Sequence, residues 1–553
     1  MKQKIFALFL ILCGLCLNLK AETQGDIVGR VLDDSGAPLV GATVQMVNTK
    51  GGVTTDEDGY FRIPYSKVGA VKVKVSYVGY QTQTFILKTD EKKGNQHVLR
   101  LQPDATALDQ VVVTATRTPK ALKDAPVVTR LITANDIKIA DATNIQDLLT
   151  EQMPGLEFGY AMNQETSLNM NGFGGNAVLF LVDGERLAGE TMDNVDYSRL
   201  NLDNVGRIEI VKGAASALYG ASAVAGVINI ISRENSEPWT ANVNTRYNDF
   251  NKEWRHGGSF SFNAGKWNSQ TSIQRTTSDE VQLTSPFDTE SNILHIYGGE
   301  TLNVKERLTY KLSNKVKLIG RGGYFARISN RSNYDDYYKD YSAGLKTVMN
   351  LSENDNLEIS YGFDQYDKAR YVNNERTHDH DYTNRQNIVR ALYSHIFGKN
   401  TLTAGADFLN DYLTTYQFAN NGSKTQNSYD AFAQFDYNPL QWLNIVASLR
   451  HDYFSASSQH ATTGRLALMT KWKGFSIRAN YAGGFRAPTL KEMYMNFDMA
   501  GMQMIYGNPD LKPEKSDNFN LALEHTGRVK NAGFLTGQYS LTLMGYYNKY
   551  DKR

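Results

Sequence analysis

From Trp239 onward, apolar and polar side chains alternate along the chain with a period of two. Phe475, Ile477, Ala479, Tyr481 and Phe485 are interleaved with Ser476, Arg478, Asn480, Ala482 and Arg486. Leu443, Ile445, Ala447 and Leu449 are interleaved with Asn444, Ser448 and Arg450, and Val446 is the one apolar residue on the polar side of that run. Successive side chains of a strand point to opposite faces, so each run offers one face to lipid and the other to a wet lumen. That is the pattern of a transmembrane antiparallel β-barrel. Short turns near Gly265-Lys266, Ser313-Asn314, 352–356, Lys399-Asn400, Pro439-Leu440 and Lys473-Gly474 alternate with long polar loops near 279–303, 329–340, 372–384, 417–427, 456–462 and 487–516. Barrels of this kind have short periplasmic turns and long outer loops, which sets the orientation and gives roughly 15 strands.

The chain before Trp239 is patterned differently. Val71, Val73, Val75 and Tyr77 alternate within AVKVKVSYVGY, and glycine turns recur between short β-type runs across 25–102, which predicts a small antiparallel sandwich. Asp56, Asp58 and Gly59 mark a hairpin turn, since the downstream acidic ligands of a calcium loop are missing. Residues 103–122 read as a proline-marked linker, yet they enclose the β-prone run Val111-Val112-Val113-Thr114-Ala115-Thr116. Such a run can add a strand to another protein's sheet edge, or be a stray strand of the sandwich. Across 123–233, Ile145, Leu148 and Leu149 have helical spacing that stops at Pro154-Gly155, and VLFLVDGERL reads as a buried strand ending in a turn. Gly213, Gly220 and Gly226 break VGRIEIVKGAASALYGASAVAGVINIISR where backbones must approach closely, without the glycine order of a phosphate loop.

Composition narrows the class. The 553 residues include 45 glycines and 32 tyrosines but only 12 prolines, as suits a turn-rich β protein. Lys+Arg 59 against Asp+Glu 58 leaves a net charge of +1, which argues against a nucleic-acid partner. Residues 1–21, with Lys2 and Lys4 ahead of the apolar run Ile5 to Leu17 and with Ala21 at the end, read as a Sec-type signal peptide. Both cysteines, Cys13 and Cys16, lie inside it, so no disulfide framework is expected after export. Bulky Leu12 and Leu15 ahead of these cysteines argue against a lipoprotein. No HExxH or HxxE pattern and no cysteine beyond the leader is present, so no peptidase site can be assembled and no enzyme or permanently bound cofactor is expected.

The pattern G-x-V-x-D-x-x-G-x-P-L-x-G-A-x-V, followed by T-D-x-D-G-x-F and S-Y-V-G-Y, resembles the carboxypeptidase-regulatory-like domain that precedes outer-membrane receptors in Bacteroidetes-type bacteria. Residues 123–233 resemble the plug domain of TonB-dependent receptors, departing from it at Met170-Asn171-Gly172, where an Arg-Gly pair is common, and at Ala214, where a proline is usual. In that company Val111 to Thr116 resembles a TonB box, and 238–553 resembles the receptor barrel. The resemblance implies a mainly β protein of sandwich, α/β plug and outer-membrane barrel, pulled by a TonB-ExbB-ExbD complex. It also implies a small iron-complex or vitamin ligand, which a surface lipoprotein can hand over, and places Arg207, Glu209 and Lys212 at a polar plug-to-barrel contact. Against a 22-stranded transporter barrel, roughly 15 strands fall about seven short, so an incomplete barrel is expected.

FRAP (Phe485 to Pro488) and NPDL (Asn508 to Leu511) resemble the paired boxes around an outer loop of haem, siderophore and cobalamin receptors. Between them lie five of the 14 methionines, Met493, Met495, Met499, Met502 and Met504. Met499 and Met504 look like occupants of positions that haem receptors fill with histidine, and 123–233 contains no histidine. A thioether can serve as an axial haem ligand or as an adaptable apolar filler. Haem is the expected cargo, at Met499, Met502 and Met504 with Tyr160 and Met162 of the plug opposite. A ferric siderophore, cobalamin, or a glycan of the SusC-type importers are the alternatives, although SusC-type boxes run into Gly-Tyr-Gly where this chain has Thr-Ala-Thr-Arg. His378 and His380 in THDHDY form a weak divalent-metal candidate, two residues apart on an outer loop.

Overall fold

A computed structural model describes residues 27–551 apart from 33–37, 40–41, 48–51, 57, 65–68, 78–81, 90–95, 102–110, 162–163, 191–192, 234, 236, 285–292, 379–380, 420–421, 500 and 530–536. The signal peptide, Met162 and His380 therefore lie outside the described residues. The chain divides into two compact units, Met1–Gln110 with Val529–Gly537, and Val111–Arg528 with Gln538–Arg553.

The first unit is a two-sheet sandwich. One sheet runs Tyr60–Ile63, Ile27–Leu32, Gln96–Arg100; the other runs Gly52–Thr54, Thr43–Met46, Gly69–Ser76, Gln83–Thr89. Val71, Val73 and Val75 point into the core with Ile27, Val31, Phe61 and Leu99, while Lys72 and Lys74 between them are exposed. Gly29 is required by close approach, because a Cβ there would meet the Phe61 ring at 2.5 Å and the His97 carbonyl at 2.7 Å. Asp56 Oδ1 accepts from the N–H of Asp58 (3.1 Å) and of Tyr60 (2.8 Å), so its carboxylate is spent on holding the hairpin turn.

The second unit holds an α/β plug and a large sheet. The plug sheet has the order Thr129–Thr133, Val205–Lys212, Gly226–Ser232, Val178–Val182, Glu185–Arg186. Thr133 and Asp136 form a capping box that starts the helix Ala134–Ala140, and Asn144 caps Ile145–Gln152. The helical spacing of Ile145, Leu148 and Leu149 buries all three completely, at about 1.5–3 kcal/mol each. Around the plug, the strands from Trp239–Asn248 to Gly537–Asp551 follow one another in a single antiparallel path of the 16-stranded sheet, with Glu375–Arg376 paired off it. The path has the strand count that the turns predict.

Alternation along these strands sorts wall from lumen. Leu449, Leu466, Leu468, Ile477, Leu521 and Leu523 are exposed on the outside, whereas Asn444, Ser448, Arg450, Arg465, Arg478 and Asn480 are buried inside. Val446, the apolar exception, packs inward against Val112, Ala115, Phe432 and Ala467. Phe485 departs from its expected lipid face: it is fully buried against Phe454 and Ala461. Pairing with the preceding strand ends at Arg465–Ala482, and past Gly483-Gly484 the ring is free to turn toward Ala221 of the plug.

Candidate functional site

The inner half of the site is the tether. Val111–Val112 folds back onto Lys120–Ala121 as a short antiparallel pair, and Val112 and Ala115 pack between plug residues Leu181, Val211 and Leu218 and wall residues Phe432 and Val446. The segment expected to hang as an extended tether is thus docked, because Val112 and Ala115 find apolar cover on both sides, while Val111 stays exposed. Glu209 lies beside it on the plug strand Val205–Lys212, fully buried. Its Oε2 accepts from the N–H groups of Val113 and Thr114, both at 2.8 Å, and from Thr114 Oγ1 at 2.7 Å, while Oε1 accepts from Arg207 Nε at 2.8 Å. Asn229 Nδ2 donates to Thr114 Oγ1 (3.0 Å), and the Tyr219 hydroxyl donates to the Thr114 carbonyl (3.0 Å). Glu209, expected at a plug-to-barrel contact, therefore faces the tether. Strand alternation puts it on the face opposite Ile208 and Ile210, which fill the plug's helix-covered core. Arg207 borders a cavity shared with Arg307 and Arg321 of the wall, and Lys212 borders a small one with Asn518 and Asn520.

Other residues carry the plug-to-wall anchorage. Arg199, 3 % exposed, donates through Nη2 to Asp340 (2.5 Å) and Asp364 (2.8 Å) of the wall and through Nη1 to the Ala188 carbonyl (2.6 Å). Burial opposes its charge, but the two carboxylates hold it above the ordinary arginine value. Asp196 accepts from the Tyr366 hydroxyl at 2.7 Å and pairs with Arg327 at 3.1 Å, and Lys120 of the linker pairs with Asp436 of the wall at 2.6 Å. None of these belongs to a motif, and their partners are distant in sequence, so sequence reading missed them. The helix Ser216–Tyr219 bridges outward: Ser216 Oγ accepts from the Phe485 N–H at 3.4 Å while Tyr219 holds Thr114. Gly220 closes it with φ 74°, where a Cβ would meet Arg450 Nη2 at 2.5 Å.

The outer half is the loop between the paired boxes. Arg486 of FRAP donates to Glu492 (2.9 Å) and Glu514 (2.7 Å), and the Asn508 N–H of NPDL donates to the Glu492 carbonyl (2.9 Å), so the boxes clamp the base of the loop. Thr489 and Glu492 cap the short helix Leu490–Tyr494, which buries Leu490 and Met493 against Phe325, Tyr338, Tyr366, Tyr382 and Phe418. Met495 is half-buried, bridged to Phe418. The other three methionines sit on a hairpin, Asn496–Met499 with Gln503–Tyr506, at 43 % (Met499), 74 % (Met502) and 47 % (Met504) exposure. Asp498 pairs with Met504 and Met499 with Gln503, so Met499 and Met504 occupy opposite faces of this ribbon. Phe497 shares the Met499 face, and its ring meets Tyr416 edge-on at 6.4 Å; Tyr416 in turn stacks on His378 at 4.2 Å and 8°. His378 is thus linked to the methionine hairpin through Tyr416 and Phe497, a link that sequence separation conceals. Tyr160 is highly exposed on the plug.

Lys491 ties this loop to the plug. Its Nζ donates to Glu190 Oε1 at 2.7 Å, and Lys368 donates to the Glu190 carbonyl. Burial works against the Glu190 charge, but Lys491 and Lys368 hold its carboxyl below the ordinary glutamate value. Among the described residues, no group of three or more His, Cys, Asp or Glu is placed to hold a metal ion.

Comparison with known proteins matches the sandwich, the plug and the wall. The family profile described as TonB dependent receptor-like, beta-barrel matches residues 193–553, the TonB-dependent Receptor Plug Domain matches 121–227, and the CarboxypepD_reg-like domain matches 27–113. The Iron-regulated outer membrane virulence protein of Vibrio cholerae is 24 % identical over 461 residues, covering 78 % of this chain and 68 % of the relative. The Vitamin B12 transporter BtuB of the same species is 27 % identical over 453 residues, covering 77 % and 68 %. Among solved structures, the siderophore receptor PirA from Pseudomonas aeruginosa aligns with a TM-score of 0.62 at 17 % identity, covering 76 % of this chain and 74 % of that one. The hemophore receptor HasR of Serratia marcescens, solved with its hemophore HasA and heme, aligns with a TM-score of 0.63 at 13 % identity, covering 77 % and 73 %. At these identities the structural likeness is one of fold.

Proposed function

The chain belongs to the TonB-dependent receptors, and from that premise we propose that it imports haem across the outer membrane, driven by a TonB-ExbB-ExbD complex acting on Val111–Thr116. Haem enters as cargo. The observation that carries this reading is the grouping of Met499 and Phe497 on one hairpin face next to the stacked His378 and Tyr416. Flat aromatic rings suit a porphyrin face, and both thioether sulfur and imidazole nitrogen are axial ligands of haem iron. Met499 is the proposed iron ligand and His378 its partner or a stacking wall. Met502 at the tip and Met504 on the far face line the approach, and Tyr160, with Met162 beside it in sequence, is the plug-side contact. The relatives' names keep two other cargoes in view, a ferric siderophore and cobalamin.

Spectral titration of the full chain with haemin tests the proposal. A shifted Soret band is expected, changed by Met499→Ala and by His378→Ala and left in place by Met504→Ala. No Soret shift, with saturable binding of cobalamin or a ferric siderophore instead, would overturn the haem assignment.

A further inference from the structure

A strand that adds itself to a partner's sheet needs free backbone groups along one edge. The tether has few to offer. Val111 and Val112 are paired with Ala121 and Lys120, and the carbonyls of Thr114, Ala115 and Thr116 accept from the Tyr219 hydroxyl, from Arg465 Nη1 and from Gln434 Nε2. The N–H groups of Val113 and Thr114, in the middle of the segment, are both taken by the Glu209 carboxylate. Glu209 differs from these partners in taking the tether's donors, three of them on one side chain. It is a fully buried anion on which four donors converge, three from the tether and one from Arg207. Bonds to an ionised acceptor are roughly twice as strong as neutral ones, so Glu209 is the side chain with the largest share of the polar hold on the tether, where Tyr219, Asn229, Gln434 and Arg465 give one bond each. A cavity of about 220 Å³ borders Val113, Thr114, Arg117 and Tyr219, which leaves the segment room to move once that hold is lost.

We propose that Glu209 is a latch that keeps the tether closed: its carboxylate holds Val113 and Thr114 against the plug, and loss of those three bonds is the step that exposes the strand to a periplasmic partner. The inference rests on reading Val111–Thr116 as the TonB-binding segment. Glu209 is a positioning residue, acting through Thr114 and touching no cargo. A glutamine cannot replace it, because its amide N–H₂ must face either Arg207 or the tether donors, and either choice sets donor against donor.

The test uses the full chain in detergent with Cys13→Ser and Cys16→Ser, and a reporter thiol introduced by Ala115→Cys, a fully buried position of the tether. Maleimide labelling of that thiol is expected to speed up by at least about tenfold with Glu209→Gln, the change that loss of several charge-assisted bonds predicts. Haemin binding should stay unchanged. Thr114→Val, which removes one of the three donors, should raise labelling less and add little on top of Glu209→Gln, a non-additivity that general loosening of the plug would not produce. Equal labelling with and without Glu209→Gln would overturn the latch. If that variant does not fold, an unchanged rate in Thr114→Val would do the same. Capture by a soluble periplasmic TonB fragment is measured alongside. Faster labelling together with stronger capture supports both readings, whereas faster labelling without it leaves the latch standing and overturns the assignment of Val111–Thr116 as the TonB-binding strand.

Discussion

Arg199→Met should release the plug from the wall. The wild-type guanidinium spans Asp340 and Asp364 on neighbouring strands and the Ala188 carbonyl of its own plug, and it is almost wholly buried. Methionine fills much of the same volume but leaves two buried carboxylates without their cation. Removing one partner of a buried pair costs about 3–5 kcal/mol, largely the cost of the charge left behind, which is a shift of roughly two to nearly four powers of ten in plug docking. Lysine cannot reach both carboxylates with a planar fork, so Arg199→Lys should fall between the two. The Arg199 main chain stays anchored, since its carbonyl accepts from Asn303 and Lys305. The assay is the rate of native-state tryptic nicking within 123–233, which tracks the open population when reclosing is fast. Four of the five tryptophans, Trp239, Trp254, Trp267 and Trp472, lie in wall strands and Trp442 in the turn between two of them, so fluorescence reports barrel integrity separately. Combining Arg199→Met with Asp340→Asn and Asp364→Asn removes the uncompensated charge and should recover most of the protection. Less than a tenfold rise in nicking for Arg199→Met, or a triple variant no better than the single one, would refute the reasoning.

The Lys491–Glu190 link should depend on pH. Glu190 titrates below its ordinary 4.5 when folded, so its contribution is complete above pH 4.5 and is lost as pH falls through the lowered value. Lys491 is held above 10.5 and stays charged throughout neutral pH. Protection of the 187–190 amides against hydrogen exchange, taken relative to their intrinsic rates at each pH, should therefore fall below pH 4.5 in the parent and not in Glu190→Gln; parent protection that is flat across that range contradicts the link. On the outer wall, Leu449→Lys should cost about 2–4 kcal/mol if Leu449 faces the lipid midplane, read from the urea midpoint of the barrel in bilayers. A cost below about 0.5 kcal/mol would place that face in water.

The wall was legible in the sequence because its period of two is local and its turns are marked by Gly, Asn and Lys, as at Lys399-Asn400 and Lys473-Gly474. Even Val446 carried information: an apolar residue on the wet face is where the wall meets Val112 and Ala115. Buried ion pairs and side-chain hydrogen bonds were not legible. Arg199 finds Asp340 and Asp364 at separations of 141 and 165 residues, and Glu209 finds Thr114 at 95, distances over which no spacing rule operates. The methionine loop was half legible. Its location follows from FRAP and NPDL, but the register that sends Met499 and Met504 to opposite faces depends on the turn at Gly501, whose φ is 73°. The link from His378 through Tyr416 to Phe497 joins segments distant in sequence, and nothing in THDHDY announces it.

Uptake of haemin by cells carrying the receptor, compared between the parent and Val113→Pro, tests energised import most directly. Proline removes the Val113 N–H and spoils strand addition without touching the outer loop, so binding should persist while uptake falls to the level of cells without the receptor. Undiminished uptake by the Val113→Pro receptor would contradict the account.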